Sequence, residues 1–179
     1  MIRRGIIVPG LVWIVPAAVI AQDIPRMPEY QVKSLYLGVL CDYVQWPSGS
    51  DIGDKSQPFR IGILGESPFL DFLDSTWKAK HIQGKQVRIR ISSRIMDLMD
   101  SHIIFICESE SDRLSEILKT LQGKPIVTIG DTPEFALRGV MVNLYMQQKQ
   151  VRFEVNLHAI RSSGLEFSSQ FLRLAKIVK

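Results

Sequence analysis

His102-Ile103-Ile104-Phe105-Ile106-Cys107 is the stretch that decides the fold. A strand with one wet face alternates apolar and polar side chains, and this run does not alternate. It reads as a strand covered on both faces, the situation of a parallel sheet with helices on either side. Working back along the chain, residues 59–64 (FRIGIL) form a second such run, closed by Gly65. Ser67-Pro68 supplies a cap and first-turn proline for a helix to about residue 78. Val87-Arg88-Ile89-Arg90-Ile91 alternates strictly and predicts a strand with one solvated face. A short helical piece over 94–99 leads back into the central run.

Forward of the run, residues 111–121 predict an amphipathic helix with Leu114, Ile117, Leu118 and Leu121 on one side, ended by Gly123. Residues 125–129 read as another buried strand, and Asp131-Thr132-Pro133-Glu134 as the start of a brief helix ending at Gly139. Residues 140–146 and 151–155 then predict an antiparallel hairpin, followed by helices over 157–162 and 168–178. Near the other end, residues 29–46 read as one helix. Its polar positions Gln31, Ser34, Gly38, Asp42 and Gln45 form a narrow stripe, so it is either deeply sandwiched or lies at a subunit interface. The fold class expected is α/β: a mainly parallel sheet with helices on both faces and an antiparallel C-terminal hairpin, in a single domain.

The chain has 179 residues, 46% hydrophobic and 22% charged. That is enough apolar material for one core and too much for disorder. Half of the net charge of +4 comes from Arg3 and Arg4, which precede an uncharged run over residues 5–22. A basic start, an apolar centre and small residues before Gln22 describe a secretory signal peptide over 1–21, cleaved after Ala21. Pro9, Gly10 and Pro16 interrupt the run and argue against the alternative, a membrane anchor. The mature domain, 22–179, is then nearly balanced in charge and has no run of five basic residues, which excludes a nucleic-acid role.

Specific catalytic signatures are lacking. Gly62 and Gly65 are spaced G-x-x-G, a tight strand-to-helix turn rather than a phosphate fingerprint, and no cofactor is called for. His81, His102 and His158 show no metal or triad spacing, and Asp97 with Asp100 reads as the wet side of an amphipathic turn. Cys41 and Cys107 are open to one long-range disulfide or to two buried free thiols. Ligands of open α/β sheets favour the carboxyl ends of strands, which nominates Ser67, Glu108 and Asp131 as pocket-lining residues. Towards the C-terminus Arg152, Glu154 and Asn156 share one strand face, with Arg161, Glu166 and Arg173 following. That face is a solvated set of ion pairs or a surface for a ligand or partner protein.

A resemblance runs through these elements. Ser34-Leu35-Tyr36-Leu37 followed by Tyr43-Val44-Gln45-Trp46-Pro47 is similar to the opening helix of YfiR-like periplasmic proteins. So are the strand and turn of residues 61–69 and, most specifically, the segments 123–131, 139–144, 151–156, 159–161 and 168–178. The resemblance implies a non-catalytic periplasmic signalling protein that restrains an inner-membrane diguanylate cyclase, or a similar sensor, by binding its periplasmic domain. It also implies an outer-membrane lipoprotein with an OmpA-like domain as a second partner, and cyclic-di-GMP and biofilm matrix as the output. Redox control through further disulfides does not carry over, because only Cys41 and Cys107 are present. The expected partner surface is the helix side at Tyr36, Val39 and Tyr43 together with Arg152, Glu154, Arg161 and Arg173, on a protein expected to be a homodimer. The competing reading is a periplasmic small-molecule sensor with its pocket at the strand ends.

Overall fold

The computed structural model describes residues 29–66, 77 and 80–179. The expected signal peptide, Ser67 and, Trp77 apart, the helix expected over 67–78 lie outside the described residues. In chain order the elements are α1 (Glu29–Cys41), β1 (Val44–Gln45), β2 (Phe59–Leu64), β3 (His81–Ile82), β4 (Lys85–Ser92), β5 (Ile103–Ile106), α2 (Leu114–Leu121), β6 (Val127–Gly130), β7 (Val142–Gln147), β8 (Gln150–Asn156), α3 (Leu157–Ser162), β9 (Glu166–Phe167), α4 (Ser169–Leu174) and β10 (Lys176–Val178). Eight strands form one sheet in the order β10-β8-β7-β6-β5-β2-β4-β3, and β1 pairs separately with β9. The pairings β4–β2–β5–β6–β7 are all parallel, whereas β7–β8 is the antiparallel hairpin and β3–β4 closes the far edge antiparallel.

The unbroken apolar run is buried for the reason its sequence suggests. On β5, Ile103 and Phe105 enter one core with Ile61, Ile63, Val127, Ile129 and the α1 residues Leu37 and Leu40. Ile104 and Ile106 enter a second core with Leu64, Leu98 and the α2 residues Leu114, Ile117 and Leu121. At eight residues α2 is too short to be stable alone. Its three buried side chains, at roughly 1.5–3 kcal/mol each, hold it on the sheet. Gly62 on β2 faces this side, where a Cβ would stand 2.9 Å from Ser101 Oγ and 3.2 Å from Leu98 Cβ. The bare backbone lets the single 3₁₀ turn Ile95–Leu98 lie directly on the sheet.

Four expectations change. The first helix stops at Cys41, not at residue 46, because Trp46 precedes Pro47 and is driven extended, and Val44–Gln45 finds a strand partner. The last helix stops at Leu174, and β-branched Ile177 and Val178 extend the sheet instead, as β10 parallel to β8. Residues 131–139 form turns rather than a helix, with Glu134 at a φ of 67° that no helix accommodates. The stripe on α1 is not wet throughout: Ser34 is fully buried, and a Cβ on Gly38 would reach within 2.1 Å of the Trp77 ring. The stripe marks a face of close approach, and α1 is the sandwiched helix of the two alternatives at those positions.

Candidate functional site

At the carboxyl ends of β5 and β6 the sequence nominated Glu108 and Asp131. Glu108 is exposed, but Asp131 is committed internally. Lys33 Nζ, buried on α1, lies 2.9 Å from Asp131 Oδ2 and 2.5 Å from Glu29 Oε1. Burial works against the Lys33 charge, yet the two carboxylates outweigh it and hold the ammonium above its ordinary pKa. Nearby, Glu110 is buried and paired with Arg113. Asp131 therefore ties α1 to the sheet rather than standing free at the mouth of a pocket.

Both cysteines are free thiols, buried in the same core. Cys41 Sγ donates to the Leu37 carbonyl at 2.9 Å, and burial pushes its pKa well up. Cys107 is pushed up to about 12, first by burial and then by the charges of Asp131 and Glu110. Neither is a ready thiolate.

The surface nominated for a partner divides in two. Tyr36 packs edge-on against Phe153 at 5.3 Å between ring centres, and Tyr43 stacks on Phe171 at 5.9 Å. These rings fix α1 to β8 and the turn after α1 to α4, and of the three nominated positions only Val39 is exposed, at 46%. Arg152, Arg161 and Arg173 are exposed. Glu154 pairs with Lys176 at 2.9 Å across the β8–β10 register, and Asn156 turns inward to cap α3 by accepting the Ala159 N–H. Beside Arg173 stand two exposed apolar side chains, Leu174 at 68% and Ile177 at 41%. They belong to α4 and to the edge strand β10, whose outer backbone groups have no strand neighbour among the described residues.

The polar cluster that sequence reasoning missed lies at the opposite end of the strands. His102, immediately before β5, is buried, and its Nδ1 accepts the Arg60 N–H at 2.9 Å. Its Nε2–H therefore faces Asp51 Oδ1, 2.8 Å away, while Asp51 Oδ2 takes Arg60 Nη2 at 2.7 Å. Lys85, fully buried on β4, donates to the Asp51 carbonyl at 2.5 Å. Both imidazole nitrogens are engaged, so the ring has no free lone pair with which to act as a base. His81 and His158 are exposed and far from such a network in sequence. Among the described residues no cluster of side chains is arranged to hold a metal ion, and no helix is long and apolar enough to cross a membrane.

Residues 30–176 match the YfiR/HmsC-like family model. The chain belongs to that family. No curated protein matches it significantly. Among solved structures, this YfiR/HmsC-like chain is similar to a conserved domain protein from Vibrio cholerae O1 biovar El Tor, with a TM-score of 0.57 at 10% identity over 86% of its length. It is also similar to an ABC domain from Streptococcus pneumoniae solved in complex with L-Trp, with a TM-score of 0.50 at 10% identity over 66% of its length. It spans 61% and 55% of those two chains, and at such identity the likeness is one of fold.

Proposed function

We propose that this protein is a non-catalytic periplasmic signalling regulator that binds and restrains the periplasmic part of an inner-membrane diguanylate cyclase or similar sensor, lowering cyclic-di-GMP output. The family match over residues 30–176 carries this reading. In it the chain is exported by residues 1–21, works as a homodimer, and is drawn off its target by an OmpA-like outer-membrane lipoprotein. Restraint is a population shift: the regulator prefers one conformation of its target, and its removal releases the other.

The surface best suited to such a partner is the rim around β10. It combines an open strand edge with exposed Leu174 and Ile177 and with the cations of Arg152, Arg161 and Arg173. Val39 is the one position of α1's nominated side available to extend it. Binding of the purified chain to the periplasmic domain of the membrane cyclase tests the surface. Reversal of Arg152 and Arg173 to Glu should weaken binding with the fold intact; full binding by that variant would remove this surface from the account. The second reading, a small-molecule sensor, draws support from a cavity at the amino ends of the strands rather than from the carboxyl ends.

A further inference from the structure

The last turn of α2 and the residues of α3 line a cavity of about 280 Å³ over the amino ends of β6 and β7. Its inner end is Thr128 of β6 and Met141, just ahead of β7, both buried, and its apolar wall is Leu118, Leu121 and Ala159. These walls are held by the fold itself. Thr128 Oγ1 accepts the Met141 N–H at 3.0 Å. Arg138 Nη2 donates to the Ser111 carbonyl at 2.5 Å, and its guanidinium lies over the Phe135 ring at 5.6 Å. The cavity is therefore formed before anything enters it, which spares a ligand the cost of ordering it.

The formal charge at its rim has one sign. Lys119, Arg138 and His158 are exposed there, where a solute can reach them. Lys119 and His158 have no ion-pair partner among the described residues, and Arg138 meets a carbonyl and a ring but no carboxylate. Among the described residues no Asp or Glu lines this cavity. That separates it from the smaller cavity beside Trp46, whose wall carries Asp51 and Asp100. Ligand pockets are mostly apolar with a few polar groups that fix orientation, and drug-sized ligands need roughly 300–1,000 Å³. Just below that range, this cavity suits a smaller amphipathic solute, apolar at the inner end and anionic at the rim.

We propose that this cavity binds an aliphatic carboxylate of medium chain length. The tail lies against Leu118, Leu121, Met141 and Ala159, and the head meets Lys119 and Arg138, with His158 as a further donor. Burial of the tail supplies most of the affinity and the exposed charges set its sign, because exposed ion pairs contribute little. The site does not use the β10 edge and does not rest on the regulatory reading.

Titration of the purified chain, labelled with ¹³C at its methionine methyls, with octanoate tests it. The shift is read at the Met141 methyl, whose resonance the Met141→Leu variant identifies. The expected result is a saturable shift, with affinity lowered about threefold in Lys119→Gln, as loss of one exposed charge contact implies. Ser162 is exposed at the lip of the cavity, so Ser162→Trp should abolish the shift while an unchanged melting temperature shows the fold intact. Octanol, which keeps the tail, and acetate, which keeps the head, should both bind more weakly than octanoate. The proposal is overturned by the lack of a saturable shift with octanoate, or by a shift that survives Ser162→Trp. Octanol or acetate binding as tightly as octanoate, or full affinity in Lys119→Gln, would overturn it as well.

Discussion

His102 and Asp51 meet across the amino end of the sheet, imidazole Nε2 to carboxylate Oδ1 at 2.8 Å, while the other ring nitrogen accepts the Arg60 backbone N–H. One side chain thus joins the start of β5 to the loop ahead of β2 and to β2 itself. That arrangement holds only with the ring neutral, because protonating Nδ1 would set two donors against each other.

Acid should therefore weaken the fold. Burial, helped by the charges of Arg60 and Lys85, holds the His102 pKa below its ordinary value of 6.5 against the pull of Asp51. The unfolded chain takes a proton near pH 6.5 that the folded chain refuses, so stability is lost as pH falls through 6.5 towards the folded pKa. Asp51 is shifted the same way. Burial raises its pKa, but the bonds from Arg60 and His102 outweigh it, and the stability Asp51 gives is lost only at more acid pH. Urea midpoints at pH 7.5, 6.5 and 5.5 should fall in that order, and His102→Gln should flatten the trend. A midpoint that rises towards pH 5.5 would contradict this account of the ring.

The pair Lys33–Asp131 predicts unequal losses. Asp131 is 10% exposed in its side chain, so its attraction for Lys33 is little screened by water, whereas that of a solvated carboxylate is. Asp131→Asn should therefore cost several-fold more stability than Glu29→Gln, since Glu29 is 46% exposed in its side chain and exposed pairs are worth about 1 kcal/mol or less. Equal unfolding midpoints for the two variants would show that the exposed Glu29 holds the lysine as strongly as Asp131 does, and would contradict this ranking.

How much of this was legible beforehand follows from the range of each interaction. The doubly covered strands and the hairpin were readable because burial on two faces and alternation are written within a few residues, as in Ile103–Ile106 and Val151-Arg152-Phe153. The ends of the first and last helices were not, because Val44 pairs with Phe167 and Ile177 with Val155, and local pattern carries no such information. The same limit hid the polar cluster: Asp51 and His102 are fifty-one positions apart. Tyr36 and Tyr43 read as part of an exposed helix side for the related reason that their partners Phe153 and Phe171 lie far along the chain.

Gly38→Ala separates packing from propensity. Alanine in a helix is favoured over glycine by about 1 kcal/mol, but here its Cβ would fall 2.1 Å from the Trp77 ring. Overpacking of that kind costs about 1–3 kcal/mol. The variant should unfold at a lower temperature than the wild type, and a raised melting point would mean that Trp77 yields freely.

Native alkylation should leave both cysteines unmodified, with two labels added only after denaturation and with no dependence on reductant, as expected for buried high-pKa thiols. A form that takes up label only after reduction would show a Cys41–Cys107 bond instead.

The central claim is restraint of a membrane cyclase. Its most direct test is intracellular cyclic-di-GMP in a strain lacking this protein, with and without the wild-type chain restored. The account predicts a rise on deletion, reversed by the wild-type chain and not by the Arg152→Glu, Arg173→Glu variant. Levels unchanged by deletion across several growth conditions would contradict it.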